Sequence, residues 1–245
     1  MKTEAEFHDP RGRPEHWEGK LVWEYFRNIR HGFFVEVGAN HPKIYSQTYF
    51  LEQQGWNGIL IEPNPKLCRD LREQRPRSQV FETAVCAPSD VGEADLHLGP
   101  GRGGHSAIKL EPGVALAGEC IRVPMKTLDR VLEETHMNEI DFISLDVEGM
   151  ELDVLRGFDM ARWQPSLLLI EDFFVNHEKH KYLKCMGYKL IRRTGYDNWY
   201  VPQKTAASLL SVSTSRELFR LARKFWLNPP YETVRRKWKQ RNLQP

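Results

Sequence analysis

Short runs of apolar residues alternate with stretches of helical periodicity along most of the chain. The runs are rich in β-branched and aromatic residues, which predicts buried strands at 33–37, 58–62, 79–85, 140–145 and 166–171. Helical periodicity fills the gaps at 45–54, 64–74, 127–135, 149–157 and 176–186. Strands that alternate with helices form βαβ crossovers, so the pattern predicts a parallel sheet with helices on both faces.

The two ends of this region depart from the alternation. Residues 188–201 contain two strand patterns joined by a short turn with a glycine, which predicts an antiparallel hairpin at the sheet edge. Residues 17–30 suit a short leading helix. The predicted fold is therefore α/β: a doubly wound, mostly parallel sheet with an antiparallel edge hairpin, followed by C-terminal helices.

The length of 245 residues suits one α/β domain with appendages. We predict an N-terminal segment at 1–31, a core domain at 32–202 and a tail at 203–245. An insertion at 88–126 carries the Gly-rich stretch GPGRGGHS at 99–106. Its glycines suit either the hinges of a lid or a plain flexible loop.

The tail is strongly basic although the whole chain carries only +2. Residues 203–245 hold ten Lys or Arg and two acidic residues, so this segment carries +8 and the remainder carries −6. A capping box from Thr214 to Glu217 precedes an amphipathic helix, and a second basic helix with Trp238 follows a pair of prolines.

Two interpretations of this tail remain open. Basic amphipathic helices bind anionic membrane surfaces, which would hold the protein at the inner face of a membrane. The slightly preferred alternative is that the apolar stripe packs on the domain or on a second subunit, as in a homo-oligomer. Nucleic-acid binding is disfavoured by the acidic body and by the lack of a recognised motif.

The cysteines and the N-terminus indicate a cytoplasmic setting. The four cysteines lie far apart without a C-x-x-C pair, so neither a zinc site nor a disulfide framework is expected. The N-terminus is polar and lacks the apolar stretch of a signal peptide, and the apolar runs are too short to span a membrane.

Residues at the carboxyl ends of the predicted strands are the candidates for chemistry, because ligands of open α/β sheets bind there. Glu62 ends the second strand, 24 residues after Gly38. This is close to the offset of about 20 residues at which an acid binds ribose hydroxyls in dinucleotide folds. An exposed residue at a strand end is an equally good interpretation of Glu62 alone.

The loop after the first strand distinguishes two kinds of cofactor. A pyrophosphate needs several glycines and is repelled by a carboxylate, whereas this loop has only Gly38, with Glu36 beside it. S-adenosylmethionine carries a sulfonium and an ammonium group, which attract acidic residues, and it needs only one tight turn. Glu36 would assist the amino-acid end of this cofactor directly or through the turn.

Several stretches together resemble the FkbM-type methyltransferases, a family of S-adenosylmethionine-dependent O-methyltransferases with a class I, Rossmann-like fold. They are FVEVGAN, YFLEQQGWNGILIEPNP, MKTLDRVLEE and, as the most specific, IDFISLDVEGMELDVLRGF, within residues 32–202. The resemblance implies that the cofactor is bound by Glu36, Gly38, Asn40, Glu62, Asn64, Ala84, Val85 and Asp146. It also implies that Asp146, Glu148 and Glu171 are the catalytic residues.

One departure from the family pattern lies in the cofactor loop. Family members usually continue after GAN with Asp or Ile and then Gly, whereas here Asn40 is followed by His41, Pro42 and Lys43. Proline fixes its own φ and lacks an N–H donor, and it restricts the residue before it to extended geometry. The loop therefore has to be built in another way.

Methyl transfer to a hydroxyl benefits from a general base. Asp146 and Glu148 are two residues apart, so they share a side if strand geometry persists, and a partly dry carboxylate beside another has a raised pKa. A Mg²⁺ ion held by these two residues and Glu171 is a less favoured alternative. Helix capping is the structural alternative for Asp146 and Glu148, and His105 and His177 are further candidates for the base.

The resulting hypothesis is an O-methyltransferase that acts on a hydroxyl group, most plausibly of a sugar in a glycan or glycolipid, or of a natural product. The alternative is a non-catalytic cofactor-binding or scaffold protein with the same fold. An NAD-dependent oxidoreductase comes third, because the expected glycines are missing.

Overall fold

The computed structural model describes residues 17–27, 29–99, 106–108, 119–135, 137–172 and 176–209. Its strands are β1 (Phe33–Val37), β2 (Asn57–Glu62), β3 (Ser78–Glu82), β4 (Ala84–Val85), β5 (Gly92–His97), β6 (Cys120–Lys126), β7 (Phe142–Leu145), β8 (Leu167–Glu171), β9 (Tyr188–Thr194) and β10 (Asp197–Pro202). Its helices are α1 (Trp17–Tyr25), α2 (Tyr49–Gln53), α3 (Pro65–Gln74), α4 (Leu128–Glu133), α5 (Glu151–Arg156), α6 (Met160–Trp163), α7 (His177–Cys185) and α8 (Gln203–Leu209).

Seven strands form the main sheet in the order β3-β2-β1-β7-β8-β10-β9. The first five are parallel, and β10 runs antiparallel to both β8 and β9. The predicted parallel sheet and the antiparallel edge hairpin are therefore confirmed. Strand order reverses between β1 and β7, so their carboxyl ends frame the crevice in which doubly wound sheets bind ligands.

Alternate residues of the central strands feed two apolar cores, one on each face of the sheet. Val35 and Val37 of β1 contribute to one core together with residues of α4 to α7, whereas Phe34 faces the other core together with residues of α1 to α3. Each fully buried aliphatic or aromatic side chain contributes about 1.5–3 kcal/mol. The strand ends that carry the polar groups are thus held on a rigid support.

The predicted strand at 79–85 was wrong in one respect, because it is two strands in two sheets. The chain breaks at Thr83, whose hydroxyl donates to the carbonyl oxygens of Ala84 and Pro124 (3.1 and 3.0 Å). The strand β4 then joins a small sheet of order β4-β6-β5, which is built largely by the predicted insertion at 88–126. The Gly-rich stretch that would supply the hinges of a lid lies mostly outside the described residues, which omit 100–105 and 109–118.

Two helices start later than predicted. The helix predicted from 45 begins at Tyr49, since Tyr45 has φ +64° and Ser46 and Thr48 bond to a buried carboxylate instead. The helix predicted from 149 begins at Glu151, because the two preceding loop residues, Glu148 and Gly149, have φ +55° and +98°. Left-handed residues cannot continue a right-handed helix.

The start of the basic tail is helix α8, whose residue Ala206 is buried in the core that also contains Phe34. The amphipathic helices predicted further along lie outside the described residues. Among the helices that the structure describes, none is long and apolar enough to cross a bilayer.

Candidate functional site

A tight turn at Gly38 brings the ends of β1 and β7 together. Gly38 has φ +81°, and a Cβ atom at this position would lie 1.8 Å from the carbonyl oxygen of Asp146. The N–H of Asp146 in turn donates to the carbonyl of Val37 (3.0 Å). Only glycine allows this close approach, so Gly38 sets the backbone of the turn.

Glu62, at the end of β2, clamps the loop that follows Gly38. Its two carboxylate oxygens accept the N–H groups of Asn40 and Asn64, each at 2.9 Å. The residue is 5% exposed, and burial raises its pKa to about 7 against the lowering effect of those N–H groups. Glu62 is therefore a buried residue of the strand-end crevice and not an exposed strand-ending side chain.

Asn40 presents an unused acceptor in the crevice. It has φ +49°, a left-handed conformation that Asn tolerates better than most residues. Its Oδ1 atom is buried and has no hydrogen-bond partner among the described residues. Because buried acceptors are nearly always satisfied, this oxygen suits a donor group on a bound ligand.

The departure at His41 and Pro42 has a structural explanation. The Nδ1 atom of His41 accepts the N–H groups of Lys43 and Ile44 (3.1 and 3.0 Å), so this nitrogen carries no proton. The carbonyl of Pro42 accepts a hydrogen bond from Arg75 (3.0 Å). Side-chain groups thus hold the turn in the absence of the glycine that the family pattern usually has there.

Glu36 also stabilises this loop through hydrogen bonds. Its carboxylate accepts hydrogen bonds from the Ser46 and Thr48 hydroxyls and from the Gln47 N–H, and it pairs with Arg75 at 3.7 Å. The residue is 3% exposed, and burial raises its pKa while Arg75 lowers it. Glu36 therefore shapes the loop from within the protein, in keeping with the indirect one of its two predicted modes of action.

Asn64, Ala84 and Val85 lie around the same edge of the sheet. The side chain of Asn64 caps α3 by accepting the N–H of Lys66 (2.9 Å). Ala84 and Val85, which were expected to end the third strand, form β4 instead and are both 4% exposed. Their predicted contact with the adenine of a cofactor stays a prediction.

Three of the predicted residues form an acidic group at the ends of β7 and β8. The side chains of Asp146 and Glu171 are hydrogen-bonded to each other, and Glu148 lies close enough to influence both. Burial, followed by the charge of Asp146, raises the pKa of Glu171 to about 10. Burial and the charge of Glu148 also raise the pKa of Asp146, while the bond from Glu171 lowers it.

These shifts describe a pair that holds a proton at neutral pH. Glu171 keeps its proton, which it donates in a hydrogen bond to Asp146, and burial and the charge of Glu148 raise the pKa of Asp146, so its carboxylate is a stronger base than an ordinary aspartate. Such a carboxylate, beside a neutral acid and among other acids, has the features of a general base.

Helix capping does not explain Asp146 and Glu148. The N-cap position of α5 is Met150, and the carboxylate that binds backbone near this helix start belongs to Glu151, which accepts the N–H of Gly149 at 2.7 Å. Neither signature acid is therefore the N-cap residue of α5, and the capping alternative gains no support.

Two cations that pair with the neighbouring acids Glu151 and Asp172 could not be predicted from the sequence. Lys179 is 2% exposed, and its ammonium lies 3.3 Å from Glu151 and 3.0 Å from Asp172. Arg193 lies 3.8 Å from Asp172 on the far side. The sequence around Lys179 does not indicate that this side chain is buried, because it lies in a helix, HEKHKYLKC, whose many charged residues are typical of an exposed helix.

A second acidic pair was also missed. Asp197 begins β10 opposite Glu171, and it interacts with Glu18 of α1. Burial and then Glu18 raise the pKa of Asp197. This pair extends the acidic group from the strand ends to the N-terminal helix.

The metal and histidine alternatives gain no support from the described residues. No group of three or more His, Cys, Asp or Glu side chains there is placed to hold a metal ion. His177 is exposed at the start of α7, and His180 is partly buried, with its Nδ1 atom 3.4 Å from the Tyr200 hydroxyl. His105 lies outside the described residues.

The strand order, the glycine turn and the buried acid after β2 define a class I, Rossmann-like methyltransferase. The sequence profile of the methyltransferase FkbM domain matches residues 36–196, which is more than half of the chain. The chain therefore belongs to the FkbM family of S-adenosylmethionine-dependent methyltransferases.

Solved structures that are similar to this chain are distant. TrmK of M. capricolum in complex with S-adenosyl-homocysteine has 8% identity and a TM-score of 0.42, with 76% of this chain and 66% of that chain covered. A TehB-like SAM-dependent methyltransferase from Corynebacterium glutamicum has 10% identity and a TM-score of 0.42, with 76% and 86% covered. The METTL16 MTase domain has 12% identity and a TM-score of 0.42, with 76% and 64% covered. These similarities are too weak to carry an argument, and no curated protein matches the chain.

Proposed function

We propose that this protein is an S-adenosylmethionine-dependent O-methyltransferase that acts on a hydroxyl group of a sugar in a glycan or glycolipid, or of a natural product. The observation that carries the proposal is the hydrogen-bonded pair of Asp146 and Glu171, which lies next to the Gly38 turn. An alcohol holds its proton too firmly to react without help, so an acceptor of this kind needs the base that the pair provides.

The residues of the crevice fit the cofactor. Asn40 offers a buried acceptor, and the donors of S-adenosylmethionine are its ammonium and its ribose hydroxyls. Glu62 holds the backbone N–H groups of Asn40 and Asn64 at the end of β2, at the offset from Gly38 that suits a ribose. The acidic surroundings favour a cationic ligand and oppose a pyrophosphate, which supports this cofactor over NAD.

Each carboxyl group has a separate task in the proposed reaction. When bound, S-adenosylmethionine supplies an electrophilic methyl group. Asp146 accepts the proton that the acceptor hydroxyl loses, while Glu171 stays protonated and holds the Asp146 carboxylate in place. Glu148 adds negative charge that makes Asp146 a stronger base.

A transfer assay with methyl-labelled S-adenosylmethionine tests this proposal. The acceptor panel contains glycans, glycolipids and macrolides, each paired with an analogue that lacks the target hydroxyl. Label should pass to hydroxylated members only. Asp146→Asn should lower turnover by about 10²–10⁴-fold, because an amide cannot accept the proton, while binding of S-adenosylhomocysteine persists.

The control variant is Asp95→Asn, since Asp95 is an exposed acid of the small sheet, paired with Arg122. It should retain full turnover. Full activity of Asp146→Asn would remove the base from the proposal, and transfer to amines alone would remove the hydroxyl acceptor. Binding of S-adenosylhomocysteine without transfer to any acceptor would favour the scaffold alternative.

A further inference from the structure

We propose that Arg75 is the positioning residue of the cofactor loop, which we define as residues 40–48. The inference rests on the proposed function, because it is that proposal which makes this loop a binding site for the cofactor. Arg75 directly follows α3, far along the chain from the loop, and belongs to none of the stretches that carry the family resemblance.

The guanidinium of Arg75 reaches the loop with hydrogen bonds in three directions. Its Nη1 atom donates to the carbonyl of Pro42 (3.0 Å) and to the hydroxyl of Ser46 (3.2 Å). Its Nη2 atom donates to the hydroxyl of Thr48 (2.8 Å). Its Nε atom donates to Glu52 of α2 (2.7 Å). One side chain therefore fixes the loop at both ends of its turn and ties it to the next helix.

The surroundings of the guanidinium make these bonds strong. Arg75 is 0% exposed, and its guanidinium carbon lies 5.8 Å from the ring centre of Phe34 and 5.6 Å from that of Tyr49. The carboxylates of Glu36 and Glu52 lie at 3.7 and 2.7 Å. Charged hydrogen bonds in such an enclosed, water-poor position are stronger than those at the surface.

The bonds of Arg75 act on the residues that would touch the cofactor. Pro42 is two residues after Asn40, whose left-handed backbone and buried Oδ1 are part of the crevice. The loop has no glycine to make its turn, so its shape depends on hydrogen bonds from side chains. His41, which belongs to the loop, accepts two backbone N–H groups, and Arg75, which lies outside the loop, donates to the carbonyl of Pro42. Lysine keeps the charge of arginine but lacks the planar fork that reaches all four partners.

Calorimetric titration with S-adenosylhomocysteine tests the inference, since it measures the dissociation constant and the binding-competent fraction separately. Arg75→Lys should weaken binding about tenfold or more, and Thr48→Val, which removes one acceptor of the fork while keeping the shape, by about three- to tenfold. Arg75→Met should weaken it further if the variant folds. If it does not fold, the other two variants decide.

Two controls separate positioning from stability. Leu71→Ala removes a fully buried side chain of α3, the helix that Arg75 follows, so it should lower the melting temperature but leave the dissociation constant unchanged. Arg72→Met removes an exposed ion pair with Glu82 and should change neither quantity.

Wild-type affinity in both Arg75→Lys and Thr48→Val would overturn the inference and leave the proposed function intact. The same loss of affinity in Leu71→Ala would also overturn it, because general destabilisation would then explain the effect. Failure of the wild-type protein to bind S-adenosylhomocysteine would instead contradict the proposed function.

Discussion

Two buried groups of charged residues lie on the two sides of the sheet crevice, and they are built differently. In the group beside the cofactor loop, Arg75 pairs with Glu36 and Glu52. Each of these carboxylates also accepts hydrogen bonds from hydroxyl and backbone N–H groups. In the group at the ends of β7 and β8, acids face one another, and Glu171 holds a proton that it donates in a hydrogen bond to Asp146.

This difference indicates that the group around Arg75 stabilises the structure, whereas the group of facing acids suits catalysis. A buried charge with all its partners in place resists change, since removing one partner leaves an unpaired charge. Acids that face each other hold protons that a small change in surroundings can move, which is the property a base requires. In the proposed function, the first group fixes the cofactor loop and the second acts on the acceptor.

The largest expected effect is the loss of stability that follows removal of the cation from the first group. Arg75→Met should lower the free energy of unfolding by about 3–5 kcal/mol, because it leaves two glutamates buried without a cation. Arg72→Met, which removes an ion pair of half-exposed side chains, should cost about 0–1 kcal/mol. Urea unfolding of both variants measures the contrast, and similar small losses in the two would show that the buried pair is not special.

A second expected effect is a pH dependence that arises from the second group. The usual pKa of Glu171 is 4.5 and its folded-state pKa is about 10, so between these values the folded state keeps a proton that the unfolded state has lost. The free energy of unfolding should therefore fall as the pH rises, by at most about 1.4 kcal/mol per pH unit. Glu171→Gln removes this linkage and should flatten the decline.

Urea unfolding at pH 6, 7, 8 and 9 compares the slopes. The control is Glu82→Gln, since Glu82 is an exposed carboxylate at the end of β3 and its loss should leave the wild-type slope. Equal slopes for Glu171→Gln and the wild-type protein would mean that Glu171 does not hold the proton.

The sequence predicts the strands better than it predicts what surrounds them. Apolar runs such as 33–37 mark buried strands wherever their partners lie, so the sheet and the edge hairpin follow from pattern alone. The break at Thr83 does not, since it depends on the carbonyl of Pro124, far away in the chain. The late start of α2 depends in the same way on hydroxyls that bond to Glu36.

The site shows the same division. Gly38 and Glu62 stand at positions that any strand-end argument identifies, because a tight turn and an acid after β2 are local features. Arg75 and Lys179 could not be found in this way. Nothing local distinguishes Arg75 from Arg72 or Arg77, and only the folded chain shows which of the three is buried against two glutamates.

The central claim is that the crevice at Gly38, Asn40 and Glu62 binds S-adenosylmethionine. The most direct test is calorimetric titration with S-adenosylhomocysteine and with NAD, carried out on the wild-type protein and on Glu62→Gln. Wild-type protein should bind S-adenosylhomocysteine and not NAD. The variant should bind it about tenfold or more weakly, because its amide can accept only one of the two N–H groups that Glu62 now accepts. Binding of NAD alone, or equal affinity of the variant and the wild-type protein for S-adenosylhomocysteine, would contradict the account.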